Sequence, residues 1–314
     1  MKVMITGCAG FIGSHATDEF LSAGYDIIGV DALTYAGSTK NMSSFKDKIK
    51  FIHGDICDES LMLRLVKDED IEWIINFAAE THVDNSIDGC KNFIQSNIEG
   101  VRSLLDVCKA TGCKLFQIST DEVYGSTMDE SFEENDKLHP RNPYSATKAA
   151  AEHLITSYAN TYKTDYKMVR MSNNFGPRQH SEKLIPTILK SLGLGKKIPI
   201  YGDGSNIRDW FYVKDCVKMV RGILEKGEKN SIYNLTHNNE MTNIELIKKI
   251  LFMVGLDYEA SVEFIKDRLG HDKRYSIDAS KAKHLLGLKP TNFDLSLEET
   301  VEFYYEKTQY EKTQ

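Results

Sequence analysis

Short apolar runs alternate with longer amphipathic stretches through the first half of the chain. Lys2–Ile5 has the look of a buried strand, and 26–30, 49–53, 73–77, 114–119 and 167–170 repeat it. Helical periods fill the intervals at 11–23, 59–68, 91–111 and 144–163. Near-continuous apolar runs predict strands covered on both faces, and the helices between them predict parallel crossovers. The expected fold is α/β, a doubly wound parallel sheet. Beyond Phe175 the pattern loosens. Gly176-Pro177, Pro186, Gly193, Gly195, Pro199, Gly202 and Gly204 punctuate it, and helical periods return at 183–192, 213–226, 242–254 and 280–286. This predicts a smaller α/β lid over the carboxyl edge of the sheet. The boundary falls near 175, dividing 1–175 from 176–314, with late elements interleaving. The tail from Tyr304 to Gln314 is expected to fray.

Composition narrows the function classes. With 314 residues, 41% of them hydrophobic, the chain can bury a sizeable core. A net charge of −7 and the lack of a long basic run argue against nucleic acid or an anionic membrane as partner. No stretch has the apolar length of a membrane span, and the opening residues run straight into a strand without a signal-peptide arrangement. Cysteines at 8, 57, 90, 108, 113 and 216 form no Cys-x-x-Cys pair. They are expected to be free thiols in a reducing, cytoplasmic compartment, with no metal site.

The first candidate chemistry is a glycine turn. Gly7-Cys8-Ala9-Gly10-Phe11-Ile12-Gly13 follows a strand and opens a helix. Glycines there let the backbone approach a pyrophosphate, which sits on the helix N-terminus. Asp31, at the end of the second strand, can accept from ribose hydroxyls and would repel a 2′-phosphate, which favours NAD over NADP. Asp55-Ile56 is placed to meet the adenine.

The second candidate is Tyr144-x-x-x-Lys148. On a helix the two share a face, and the ammonium together with a cationic nicotinamide would lower the phenol pKa. A phenolate could then take the proton of a sugar hydroxyl. Such a pair arises by chance about once in a chain of this composition, so its weight comes from position. It follows the fifth strand, and Asn142-Pro143 before it is a helix start. Ser119-Thr120 supplies hydroxyls at the strand end. Asp121-Glu122, read alone, is an exposed acidic turn; in this context it is an acid and a base beside a redox centre.

Longer stretches carry a resemblance. They are Asp31–Gly37, Asn76–Asp84, Ile118–Gly125, Tyr144–Lys148, Ser172–Pro177, Glu182–Pro186 and Tyr201–Trp210. Over roughly residues 1–280 the chain resembles the dTDP-glucose 4,6-dehydratases of the extended short-chain dehydrogenase/reductase superfamily. The resemblance implies a Rossmann-like NAD-binding domain at 1–175 and a sugar-nucleotide-binding lid at 176–314. It implies a redox-neutral dehydration with bound NAD: oxidation at C4, loss of water across C5 and C6, and return of hydride to C6. Tyr144, assisted by Thr120 and Lys148, would take the O4 proton, Glu122 the C5 proton, and Asp121 would protonate the departing hydroxyl. Ala78, Ala79 and Ser119 would join the cofactor contacts. Asn173, Lys183, Leu184, Pro199, Tyr201, Arg208, Asn243, Arg268 and His271 would meet the nucleotide sugar. A homodimer paired through 91–111 and 144–163 is also implied.

Two positions depart from the family pattern: Leu269 stands where proline is usual, and Asn85 where many members carry arginine. Both bear on substrate fit. Three alternatives stay open at this stage. UDP-glucose could replace dTDP-glucose, since one methyl separates the bases and is worth only about 1–3 kcal/mol in a pocket. A 4-epimerase is disfavoured by Asp121-Glu122. A non-catalytic NAD sensor on the same fold would not need the full set of acid, base, tyrosine and lysine. Plainer roles also exist for single residues: Arg208 could pair with Asp209, Lys183 could be solvated, and His271 could cap a loop.

Overall fold

The computed structural model describes residues 1–267 and 271–312. Arg268, Leu269 and Gly270 therefore lie outside the described residues. Twelve strands are described: β1 (Lys2–Thr6), β2 (Asp26–Asp31), β3 (Lys50–His53), β4 (Trp73–Asn76), β5 (Lys114–Thr120), β6 (Tyr166–Met171), β7 (Asn173–Phe175), β8 (Ile198–Tyr201), β9 (Ile207–Tyr212), β10 (Ser231–Leu235), β11 (Glu240–Thr242) and β12 (Val262–Ile265). Seven of them form one parallel sheet in the order β3-β2-β1-β4-β5-β6-β10. The order reverses between β1 and β4, which opens a crevice at their carboxyl ends.

Period-two packing explains why these runs are apolar on both sides. Val3 and Ile5 enter one core with Ile75 and Phe116, while Met4 enters the other with Ile74 and Leu115. Helices α1 (Phe11–Ser22) and α8 (Val213–Lys226) pack together over the first face. Helices α2 (Glu59–Asp68), α5 (Gly100–Thr111) and α6 (Pro143–Tyr162) cover the second. β10 and α8 come from beyond residue 175, yet they complete the sheet and cover its face. Two small sheets, β11-β9-β7 and β12-β8, lie apart from it. No helix among the described residues is long and apolar enough to cross a membrane.

Three of the departures from the periodicity have a plain physical reason. The helix expected over 91–111 is interrupted: α4 (Lys91–Ile94) runs into a π-helical turn at Gln95–Glu99 before α5 begins. The widened turn points Asn97 inward, where it donates to Glu80 O and Thr147 Oγ1, both at 3.0 Å, and accepts from Glu80 N at 2.9 Å. β10 escaped the sequence reading because Asn234 interrupts its apolar run; that side chain accepts from the buried Tyr124 hydroxyl at 2.9 Å. The tail belongs to helix α12 (Phe293–Lys312), which buries Leu297, Val301 and Tyr304. Tyr304 donates to Gln179 O at 2.6 Å, so fraying does not begin at this residue.

Candidate active site

The floor of the crevice is a buried polar row across three strand ends. Thr6 donates to Asn76 at 2.6 Å, Asn76 to Gln117 at 2.9 Å, and Gln117 to Ile118 O at 2.8 Å. Each group finds a partner, so the row holds the strand ends in register. The glycine turn sits above it. Gly7 has φ +69°, and a Cβ there would lie 2.7 Å from Ala78 N. A Cβ on Gly13 would lie 2.1 Å from Gly7 O. The turn and the start of α1 thus interlock through bare backbone. Asp31 pins the turn: Oδ2 accepts from Ala9 N and Oδ1 from Leu33 N, both at 2.8 Å. Burial holds its pKa above the usual range, against these two donors.

Two adjoining cavities gather the expected cofactor residues. One is lined by Gly7, Gly10, Asp31, Asp55, Ile56, Ala78 and Ala79. The other takes Gly10, Phe11, Ile12, Gly13, Ala79 and Ser119 together with Thr120, Asp121, Glu122, Tyr144 and Lys148. α6 presents the last two. Asn142 caps it by accepting from Ser145 N at 2.8 Å, with Ser145 Oγ returning to Asn142 N and Pro143 in the first turn. Lys148 donates to Ile118 O at 2.7 Å, and burial lowers its pKa to about 8. One turn further on, buried Glu152 opposes that shift; it accepts from Ser119 and from Arg170.

Tyr144 differs from expectation. Burial, then Glu122, raises its pKa, with the Thr120 hydroxyl opposing and Lys148 not among the leading causes. The anticipated lowering therefore depends on a cation arriving with the cofactor.

Asp121 and Glu122 do not form an exposed turn. Asp121 is buried, Oδ1 accepts from Thr120 at 3.2 Å, and Oδ2 has no hydrogen-bond partner among the described residues. Burial, then Glu122, pushes its pKa well up, which favours the protonated acid. Glu122 is also raised by burial, but Asn142, Arg208 and Lys183 all favour its carboxylate. Asn142 donates to Oε2 at 3.0 Å. Adjacent carboxyls with environments this different divide naturally into an acid and a base.

A third cavity adjoins Glu122. It collects Asn173, Lys183, Leu184, Pro199, Tyr201, Arg208, Asn243 and His271. Arg268 lies outside the described residues. Arg208 does not pair with Asp209, which instead bonds Thr236, Asn238 N and Asn239 N. The Arg208 guanidinium rests on carbonyls of Ile207 and Asp272, and among the described residues no carboxylate pairs with it. A buried cation held this way keeps its charge for an anion. Lys183 reaches Thr81 O at 3.1 Å, so it is not merely solvated. The sequence reading missed Asn142 as a partner of Glu122, and missed Asp272 and Tyr275 in this cavity; only Asn142 had a signal, as a helix cap.

Comparison with known proteins places this arrangement. The family model described as GDP-mannose 4,6 dehydratase matches residues 4–302. The chain belongs to this family of nucleotide-sugar 4,6-dehydratases. It is 46% identical over 309 residues to the low-salt glycan biosynthesis protein Agl12 of Haloferax volcanii, covering 97% of this chain and 98% of that one. It is 38% identical to an Arabidopsis thaliana trifunctional protein that includes a UDP-glucose 4,6-dehydratase, covering 98% of this chain and 48% of that longer protein. The crystal structure of DesIV, a dTDP-glucose 4,6-dehydratase of Streptomyces venezuelae with NAD bound, superposes with a TM-score of 0.95 at 38% identity, covering 99% of this chain and 98% of that one.

Beneath the cofactor cavity, this family member carries a pH-sensitive tie. His15 Nε2 lies 2.8 Å from Pro177 O, and Arg178 lies 2.9 Å from Nδ1. A carbonyl only accepts and a guanidinium only donates, so the imidazole is neutral with hydrogen on Nε2. Burial, then Arg178, lowers its pKa from the ordinary 6.5 to about 4. Folding selects the neutral form. The contribution is complete above pH 6.5 and is lost as pH falls through about 4, worth about 3 kcal/mol in all. Urea melts across this window are expected to show that loss in the native protein. In His15→Gln, which keeps a donor and an acceptor without titrating, the slope should shrink; an unchanged slope would assign it to other groups.

Proposed function

We propose that this protein is a nucleotide-sugar 4,6-dehydratase converting dTDP-glucose to its 4-keto-6-deoxyglucose nucleotide and water. The observation that carries the reading is the pair Asp121-Glu122, the first buried and the second partly so, set between Tyr144-Lys148 and the cavity of Arg208.

The cofactor cavities fit NAD. Gly7 and Gly13 leave bare backbone where a pyrophosphate would lie, and α1 presents the unpaired N–H groups of its first turn. Phe11 and Ile12 flank that contact. Asp31, Asp55 and Ile56 would hold the adenosine, and Ala78, Ala79, Ser119 and Lys148 the nicotinamide half. Each Asp31 oxygen keeps a second lone pair for a ribose hydroxyl. When bound, NAD supplies the site with a hydride acceptor and, after elimination, a hydride donor.

Everything else falls to side chains. Tyr144, with Thr120 beside it, takes the proton of the sugar O4. Lys148 stabilises the negative charge that develops there. The resulting ketone acidifies C5, and Glu122 removes that proton. Asp121 gives its proton to the C6 hydroxyl, which leaves as water; hydroxide alone is a poor leaving group. Glu122 then returns a proton to C5. Arg208 and Arg268 would clamp the substrate pyrophosphate, with Asn173, Lys183, Leu184, Pro199, Tyr201, Asn243 and His271 around sugar and base.

UDP-glucose is the second reading, supported by the Arabidopsis relative. An epimerase requires no acid at C6 and leaves the burial of Asp121 unexplained. A homodimer through 91–111 and 144–163 belongs to the same proposal, supported by Ile94, at the end of α4, and Tyr162, at the end of α6, which are both exposed.

The test is to incubate purified protein with dTDP-glucose and with UDP-glucose separately and to follow the mass of the nucleotide sugar. Loss of one water from either sugar is expected, and the ratio of rates assigns the base. No loss after addition of NAD would overturn the reading, and conversion to a 4-epimer would replace it.

A further inference from the structure

Glu122 is not held by Asn142 alone. Tyr275 lies in the same cavity, buried, with its hydroxyl 3.4 Å from Glu122 Oε2 and 2.8 Å from Asp272 Oδ2. Nothing in the linear sequence links these residues. The isolated pairing of Ile207 with Arg274 and the bond from Ile207 N to Lys273 O bring the segment beside β9. Arg208 then fixes it from the side: its guanidinium stands 4.4 Å over the Tyr275 ring and donates to Asp272 O at 2.9 Å. Asn206 donates to the same carbonyl at 3.1 Å. Arg141, half-exposed, lies 3.2 Å from Asp272 Oδ1 without the alignment of a hydrogen bond, so it acts on Asp272 by charge.

A phenol has one hydrogen to donate, and here two carboxylates stand within reach of it. Burial, with Glu122 next, raises the Tyr275 pKa far above its usual value, so the group stays a neutral donor. Both donors to Glu122, Asn142 and Tyr275, address Oε2, and no described residue bonds Oε1.

We propose that Tyr275 is a positioning residue for Glu122: its single O–H alternates between Glu122 Oε2 and Asp272 Oδ2, leaving Oε1 as the oxygen that takes and returns the proton. While Glu122 is a carboxylate, the O–H points to it and stabilises the charge. Once Oε1 carries the proton, Oε2 is a weaker acceptor and the O–H turns to Asp272. No proton passes through Tyr275 and no bond other than hydrogen bonds is broken. The device suits a residue that must act as base toward C5 and then as acid toward the same carbon, because the donor follows the charge in both directions. This inference rests on Glu122 being the base of the dehydration proposed above.

The test uses the full chain with whichever nucleotide glucose the native protein dehydrates. The groups facing Glu122 are Asp121, Tyr144, Lys183, Arg208, Asp272 and Tyr275. Of these, Tyr275→Phe removes one donor and no charge. It is expected to lower kcat roughly tenfold at neutral pH, with KM within about twofold, and to move the acid limb of the kcat profile up by about one pH unit. The limb rises because a base that loses a donor to its charged form becomes harder to ionise. The fraction of nicotinamide standing reduced during turnover should increase, since the step after C4 oxidation is the one slowed. Asp272→Asn supplies a second, independent variant. A neutral amide competes less for the O–H and also removes a charge that raises the Glu122 pKa, so its acid limb should move down, opposite in sign to Tyr275→Phe, and by less when the two changes are combined.

An unchanged acid limb in Tyr275→Phe, or a rise confined to KM, would overturn the inference while leaving the dehydratase reading intact. A shift in the same direction for both variants would also overturn it. Absence of water loss by the native protein would overturn both.

Discussion

Glu122→Gln is expected to reduce turnover by about 10²–10⁴-fold while the protein folds and retains NAD. The amide keeps the size of the side chain and can still accept from Asn142, so packing around this partly buried group is preserved. It cannot take a proton from C5. In the proposed mechanism oxidation at C4 uses Tyr144, Thr120 and Lys148, which the change leaves in place. The variant should therefore stop part-way, with nicotinamide absorbance shifted to the reduced form on mixing with substrate and little water lost. Stopped-flow absorbance and product mass measured on the same sample check this. If the variant dehydrates at the native rate, Glu122 is not the base. If the nicotinamide also fails to be reduced, the residue acts before elimination, and the assignment moves to the Tyr144 step.

Gly13→Ala is expected to abolish stable NAD binding. The added methyl would sit 2.1 Å from Gly7 O and 2.8 Å from Gly7 C, and both are backbone atoms of the turn on which the pyrophosphate would rest. That backbone is tied by Gly7 N to Val30 O and by Gly10 N to Gly7 O, and it cannot give way as a flexible side chain does. The turn or the start of α1 must move, at a cost of about 1–3 kcal/mol or more to the fold. Affinity should fall at least about tenfold, since the unpaired N–H groups move with the turn. Calorimetric titration with NAD, alongside a thermal melt, separates the two effects. Gly89→Ala is the control: a Cβ there meets nothing within 4 Å, and both readouts should match the native protein. Native affinity in Gly13→Ala would remove the cofactor from this turn.

The fold was legible in the chain because its strands are buried on both faces. A strand such as Lys2–Thr6 must be apolar along its length, and the amphipathic crossovers between such runs can only be helices packed on a parallel sheet. Where a polar residue served a tertiary partner, the pattern failed. Asn234 concealed the seventh strand because it serves Tyr124. Asn97 concealed the π-helical turn because it serves Glu80 and Thr147.

The local chemistry could be read in the same way. The glycine turn, the helix capped by Asn142 and carrying Tyr144 and Lys148, and the acid pair at the end of β5 each lie within a few residues of one another, so spacing along one element constrains them. Tertiary packing alone decided which carboxyl is more easily kept protonated, because that depends on burial and on cations from distant segments: among the described residues Oδ2 of Asp121 meets no hydrogen-bond partner, while the charges of Arg208 and Lys183 favour the Glu122 carboxylate. It also freed Arg208 from its neighbour Asp209 and brought Tyr275 to Glu122, 153 positions away. Periodicity and spacing record which face of an element is buried and what stands next along it. The desolvation of a charge and the sharing of one proton between two carboxylates depend on distances that exist only after the sheet, its helices and the segment beside β9 have closed around the site.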